Sequence, residues 1–239
     1  MKGFWYVEIS HLTSKIHRFY IFGASAYLIE KNGYLVAIDT GWLGGGKIIL
    51  HKIKKMGFSP KDLKTIILTH GHPDHIGGLY TLKKETGAKV AAHVKEIPYI
   101  ELQNSYIRGV VKLGKYVAMI KPVKVDIPLK EGDIIEGLKV IHTPGHTEGS
   151  ICLYDEENKI LFSGDALQVK FNQFALPPWY YNHNVEDTLK SAIKIGELDF
   201  DILYPGNGGY IIGNASQKVK NFLKVLNVYR NNRIHRKNS

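Results

Sequence analysis

The chain has 239 residues, 44% of them hydrophobic and 23% charged, with one cysteine and a formal net charge of +10. A chain of this length buries a full core as one large domain, and a single cysteine excludes an intramolecular disulfide. No apolar run reaches the length of a membrane span, and no charged start leads into a signal segment, so a cytoplasmic globular enzyme without a membrane partner is expected. The basic excess favours anionic substrates or nucleic acid. Its lysines and arginines are nevertheless scattered, except in the tail Arg230 to Lys237, which describes a solvated surface better than a nucleic-acid footprint.

Taken in order, residues 4–9 and 16–22 read as strands, and Ala26 to Ile29 with Tyr34 to Ile38 form a hairpin about the turn Lys31-Asn32-Gly33. Asp39 ends that hairpin, and it reads equally as a turn former or as a hydrogen-bond partner to a ligand ring. Gly41 to Lys47 has the spacing of a phosphate-binding loop, but Ile48 stands where a Ser or Thr hydroxyl would meet Mg²⁺, so a flexible turn into a helix over 47–56 is the expectation. A strand over 64–69 follows, then a helix over 74–86 stopped by Gly87, then the strand Ala88 to Ala92.

Residues 94–121 have roughly helical apolar spacing interrupted by Gly109 and Gly114. A helical insertion is expected here, with a lid, a homodimer surface and plain packing all open as its role. From Val123 the pattern returns to β structure: Val123 to Ile127, Ile134-Ile135, Leu138 to His142, Ser150 to Tyr154 and Lys159 to Phe162. Cys152 lies within the alternating run 150–154 and reads as a small core residue rather than a nucleophile. Residues 166–183 form an aromatic and proline-rich loop, long enough to suggest a functional role. A helix over 184–197, the strand Ile202-Leu203-Tyr204 and a final helix from about Asn214 complete the chain. Helices flanking two mixed sheets follow from this order.

The most informative stretch is Thr69-His70-Gly71-His72-Pro73-Asp74-His75, directly after the apolar run Ile66-Ile67-Leu68. A buried strand delivers these side chains together at its end, where α/β proteins build their sites. Pro73 keeps His72 extended, so that His70 and His72 can converge on one ion, while Asp74 and His75 open the next helix. Imidazole and carboxylate at this density are what transition metals favour. Two further motifs answer the first: Thr143-Pro144-Gly145-His146-Thr147 and Phe162-Ser163-Gly164-Asp165.

Together these three motifs resemble the metallo-β-lactamase superfamily, and the Thr-Pro-Gly-His-Thr form is most similar to its glyoxalase II-like hydrolase branch. The resemblance runs from about residue 20 to residue 210. It implies an α/β (α+β) fold, a four-layer αββα sandwich in a single domain over 1–239. It also implies His70, His72 and His146 around a first metal, Asp74 and His75 on a second, and Asp165 bridging them. Zn²⁺ is the expected ion, with Fe or Mn as the alternatives, and a metal-bound hydroxide is the expected nucleophile, with Asp74 as the catalytic residue that orients it and takes its proton. One position departs from the family pattern. Its last ligand is a histidine after Pro-Gly, and here the turn reads Pro205-Gly206-Asn207. An amide oxygen is a weaker donor than imidazole, so the second site is expected to be weakened, and His183 or a tyrosine of the pair Tyr180-Tyr181 is the expected substitute.

The leading expectation is a metal-dependent hydrolase of a small ester, thioester or lactone. Only a short segment follows Asn207, which disfavours glutathione thioesters. One alternative is a mononuclear-iron sulfur (persulfide) dioxygenase, which by resemblance uses His70, His146 and Asp165. The other is a nucleic-acid-binding or processing member of the fold, for which the basic tail is the positive sign.

Overall fold

Successive side chains of a strand point to opposite faces of its sheet. Ile66, Ile67 and Leu68 are all fully buried, so both faces of this strand must be covered. That condition repeats along the chain and generates the layers. The structure, a computed structural model, describes residues 7–13, 15–101, 119–171 and 173–237. Most of the predicted insertion at 94–121 falls on 102–118 and so lies outside the described residues.

The first sheet has seven strands in sequential order: β1 (Val7–Thr13), β2 (Ile16–Ile21), β3 (Ala24–Glu30), β4 (Leu35–Ile38), β5 (Leu63–Ile67), β6 (Lys89–His93) and β7 (Ile127–Leu129). The first three neighbour pairs are antiparallel and the remaining three are parallel. The second sheet holds β8 (Ile134–Ile135), β9 (Leu138–His142), β10 (Ile151–Asp155), β11 (Ile160–Gly164), β14 (Ile202–Pro205) and β15 (Ile211–Ile212). There β11 and β14 are parallel, and their other neighbours are antiparallel. A small hairpin of β12 (Gln168–Lys170) and β13 (Gln173–Ala175) stands apart. Among the described residues the helices are α1 (Gly45–Lys55), α2 (Pro73–Ile76), α3 (Leu79–Thr86), α4 (Ile97–Ile100), α5 (Val185–Gly196) and α6 (Ala215–Lys237).

Three apolar clusters separate the four layers. Leu28, Leu35, Ala37 and Ile66 of the first sheet pack with Ile49 and Ile53 of α1 and Leu79 and Leu82 of α3. Their strand neighbours Tyr27, Ile29, Val36, Ile38 and Ile67 face the other way, onto Ile151, Leu153, Phe162 and Tyr204 of the second sheet. Cys152, Leu161 and Leu203 alternate with these and meet Ala192 and Ile195 of α5 and Val219 and Leu223 of α6. The order helix, sheet, sheet, helix is the αββα sandwich. Tyr27 anchors its middle, edge-on to Phe162 at 5.2 Å and stacked on Tyr204 at 5.5 Å. Its buried hydroxyl donates to the Pro205 carbonyl at 2.6 Å. Each such ring contributes roughly 2–3 kcal/mol by burial. Cys152 is buried here as a core residue, its thiol pushed up to about 12 by burial.

Several elements differ from the sequence expectations. The helix expected over 74–86 is two helices, broken at Gly77-Gly78. The break is packing: a Cβ on Gly78 would stand 2.4 Å from the Gly46 nitrogen and 2.5 Å from the Thr40 carbonyl oxygen. Residues 123–126 are not a strand, because Asp126 turns back to bond β6, accepting from the Val90 N–H at 2.8 Å, and β7 begins only at Ile127. The aromatic stretch 166–183 is structured, with the β12–β13 hairpin and a 3₁₀ turn at Trp179–Tyr181. Its strands are too short to stand out as a periodic pattern.

Gly78→Ala is expected to cost about 2 kcal/mol or more, because the new methyl group meets backbone rather than a side chain that can swing aside. Equilibrium denaturant unfolding measures the loss.

Candidate metal centre

The parallel parts of both sheets end at one edge, and the ligand-type side chains follow those ends. Asp39 follows β4, His70 to His75 follow β5, His146 follows β9, Asp165 follows β11 and Asn207 follows β14. Ser25 of β3 donates its N–H to the Gly206 carbonyl at 2.6 Å, which ties the Asn207 turn of the second sheet to the first.

Two groups of nitrogen and oxygen atoms converge there. His70, His72 and His146 form one; His70, His75 and Asp165 form the other, and within each the ligand atoms lie within 4.8 Å of one another. Nδ1 of His72 is 2.9 Å from Nε2 of His146. Nε2 of His75 faces Oδ2 of Asp74 at 3.5 Å and Oδ1 of Asp165 at 3.4 Å. Nε2 of His70, Nε2 of His75 and Oδ1 of Asp165 are all buried without a hydrogen-bond partner. Orphaned buried atoms of this kind are costly, and a shared cation would satisfy them.

The ring orientations are set from behind. Asp39, φ 56°, turns its carboxylate into the protein. It accepts from the Thr69 N–H at 2.8 Å, from the Thr69 hydroxyl at 2.7 Å and from Nδ1 of His75 at 2.8 Å. Of its two sequence readings, the hydrogen-bond partner to a ring is the one this geometry has. Because the Thr69 proton goes to Asp39, the Thr69 oxygen accepts from Nδ1 of His70 at 3.1 Å, leaving Nε2 of that ring as a lone pair. Nδ1 of His146 donates to Oδ1 of Asn182 at 3.1 Å, which again frees Nε2. Each free nitrogen points into the cluster, the arrangement that metal-binding imidazoles require.

Glu96, fully buried after β6, joins the two histidine loops. One carboxylate oxygen accepts from the Gly71 N–H at 2.7 Å; the other accepts from the Thr147 hydroxyl at 2.6 Å and the Gly149 N–H at 2.8 Å. The second loop also presses on α5, where a Cβ on Gly145, φ 130°, would meet the Thr188 nitrogen at 2.1 Å. His93, at the end of β6, stays outside the cluster and stacks on His142 at 4.1 Å.

Burial and mutual repulsion keep the three imidazoles neutral: His72 is pushed down to about 3, His146 to about 4, and His70 well below its usual value. Asp165 is raised to about 6 by burial and by the Asp74 charge. Burial opposes ionisation of Asp74 as well, but His75 outweighs it and holds that carboxyl below its usual range. His75 is raised, because the charges of Asp74, Asp39 and Asp165 outweigh its burial.

Asn207 and His183 have other neighbours. The Asn207 side-chain nitrogen lies 3.3 Å from Oδ2 of Asp74, and its oxygen accepts from Nε2 of Gln168 at 3.1 Å. The His183 ring lies 3.5 Å from Glu148, and its backbone N–H donates to the His146 carbonyl at 3.1 Å. Tyr181 lines the cavity above the cluster. Thr69, Glu96, Gln168 and Asn182 hydrogen-bond to the cluster side chains or their loops, and the sequence alone assigns them no role. Asn182 is adjacent to His183, and a polar residue opposite the Pro-Gly-His turn is the signal that could have singled it out.

The cavity, about 380 Å³, has His72, Asp74, His146, Asp165 and Asn207 as its floor and Phe22, Trp42, Pro178 and Tyr181 among its walls. Buried imidazoles and carboxylates converging at the open end of a two-sheet sandwich are those of a metal-dependent hydrolase. The chain belongs to the metallo-beta-lactamase superfamily, whose family model matches residues 20–207. It is 31% identical to human acyl-coenzyme A thioesterase MBLAC2, over 76% of this chain and 71% of that one. It is also 29% identical to the probable metallo-hydrolase YflN of Bacillus subtilis, over 77% and 80%. The structure is similar to BJP-1, a subclass B3 metallo-beta-lactamase of Bradyrhizobium japonicum, with a TM-score of 0.72 and 25% identity over 97% of this chain and 95% of that one.

Asn182→Ala is expected to weaken zinc binding about 10–100-fold by releasing the His146 ring, whereas His183→Ala leaves it unchanged. Calorimetric titration of the metal-free protein with Zn²⁺ separates the two.

Proposed function

We propose that this protein hydrolyses a small thioester, ester or lactone, with acyl thioesters foremost. The observation that carries the reading is the cavity lining. Among the described residues it contains no serine, threonine or cysteine, and the chain's one cysteine is buried away from it in the core. This lining favours water as the attacking group. A bound metal, with Zn²⁺ the ion that three imidazoles suit, supplies Lewis acidity and makes water a competent nucleophile near neutral pH. His70, His72 and His146 would hold it, with Asp165 and His75 beside them.

The rest of the site serves the organic substrate. Asp74, kept ionised beside His75 and lining the cavity, orients the water and accepts its proton. Tyr20, Phe22, Trp42 and Tyr181 give apolar walls to an acyl group, and Lys170 adds a cation at the rim. The similarity to human acyl-coenzyme A thioesterase MBLAC2 supports the thioester preference within this class.

A panel of acyl thioesters, esters and lactones, assayed with zinc-loaded protein, tests the reading. Turnover of thioesters is expected, abolished by a chelator, restored by zinc and lowered about 10²–10⁴-fold in kcat by Asp74→Asn. No hydrolysis of any class, with oxygen uptake on a persulfide by iron-loaded protein instead, overturns it.

A further inference from the structure

We infer that Asn207 is not a ligand: with Gln168 it forms a carboxamide relay that holds Asp74 as a hydrogen-bond acceptor, so the centre keeps one ion firmly and a second only weakly. This rests on the proposed metal-binding reading of the cluster. The direction of the relay follows from which atoms can donate. Asp165 presents carboxylate oxygens, so the Gln168 group facing Oδ2 of Asp165 at 3.0 Å is its NH₂. The same nitrogen lies 3.1 Å from the Asn207 side chain, which must therefore turn its oxygen towards Gln168.

The other end of Asn207 gives the same answer independently. Its nitrogen is surrounded by three acceptors: the Gly206 carbonyl at 3.1 Å, the Gly23 carbonyl at 3.3 Å and Oδ2 of Asp74 at 3.3 Å. Flipping the amide would set an oxygen against three oxygens at that end and two NH₂ groups against each other at the other. A cation takes an oxygen donor from an amide, and here the oxygen is turned towards Gln168 while the NH₂ group faces Asp74.

The two niches are consequently unequal. The first offers three neutral imidazoles. The second has Nε2 of His75 and Oδ1 of Asp165 without partners but must share His70 with the first, and Oδ2 of Asp74 beside it already accepts from Asn207. The backbone holds this arrangement in place, because Ala24 of β3 bridges to Asn207 and Arg18 donates to the carbonyl of Gly208.

Metal counting on the intact protein tests the relay. Wild type, Asn207→Ala and Asn207→His are loaded with Zn²⁺, passed over a chelating resin and assayed by elemental analysis, with calorimetric Zn²⁺ titration alongside. One retained ion per chain is expected in wild type and Asn207→Ala, with the weaker second affinity unchanged or tighter in Asn207→Ala. Asn207→His is expected to retain two. Two firmly held ions in wild type, or a second affinity at least tenfold weaker in Asn207→Ala, overturns the inference. Should Asn207→His not fold, the alanine variant decides. These counts need no substrate, so a failed hydrolysis panel leaves them standing, while a chain that binds no zinc overturns both readings.

Discussion

The Asp39 carboxylate, 1% exposed and at the end of β4, is the constraint on which the centre depends. Burying an unpaired carboxylate costs several kcal/mol, so it must be fully hydrogen-bonded. The three donors that meet this need are the Thr69 N–H, the Thr69 hydroxyl and the His75 ring. Two of them lie in the residue before His70, and the third is itself a ligand-type side chain. Satisfying one acid thereby sets the exit direction of β5, the free nitrogen of His70 and the free nitrogen of His75. Glu96 does the same for the two loops as wholes, bonding Gly71 on one side and Thr147 and Gly149 on the other.

Both sheets contribute to one edge because their middle cluster is shared. Tyr27 packs on Phe162 and Tyr204, and its hydroxyl reaches Pro205, two residues before Asn207. Ser25 and Ala24 of the same strand grip the next two residues of that turn. The position of the site is thus a consequence of core packing, and the cluster beneath the cavity is more buried than the Tyr181 wall. Tyr181 of the cavity wall is 47% exposed, whereas His70, His75 and Asp165 of the cluster are buried.

Much of this was legible beforehand. His70, His72, His146 and Asp165 lie in the segments that follow strand ends, and Asp74 and His75 in the short helix that follows β5; the change from an apolar run to polar side chains at those points is visible in one dimension. Partners that act across the fold are not. Glu96 lies in an ordinary Lys-Glu-Ile sequence, and its burial depends on two loops that close over it. Asn182 rather than His183 meets His146 because the chain enters α5 with the Asn184 cap, and a one-residue offset decides which side chain points inward. The break at Gly77-Gly78 depends on how near the loop before α1 comes, which no local pattern records. Asn207 carries the same lesson: its identity signals a departure from the family pattern, but the polarity of its amide is set by Gln168, thirty-nine residues away.

The pairing of His70 and His72 from the first sheet with His146 from the second has a further mechanical meaning. A chain with one cysteine cannot staple its halves covalently. An ion held by those three rings would do so, closing a loop between positions 70 and 146 and withdrawing from the unfolded chain the freedom that a long disulfide withdraws elsewhere. Catalysis and architecture would then share one fastener. Taking the metal away would loosen the seam between the two sheets as well as silence the chemistry, and the shortage of cysteine would cease to be a weakness of the fold.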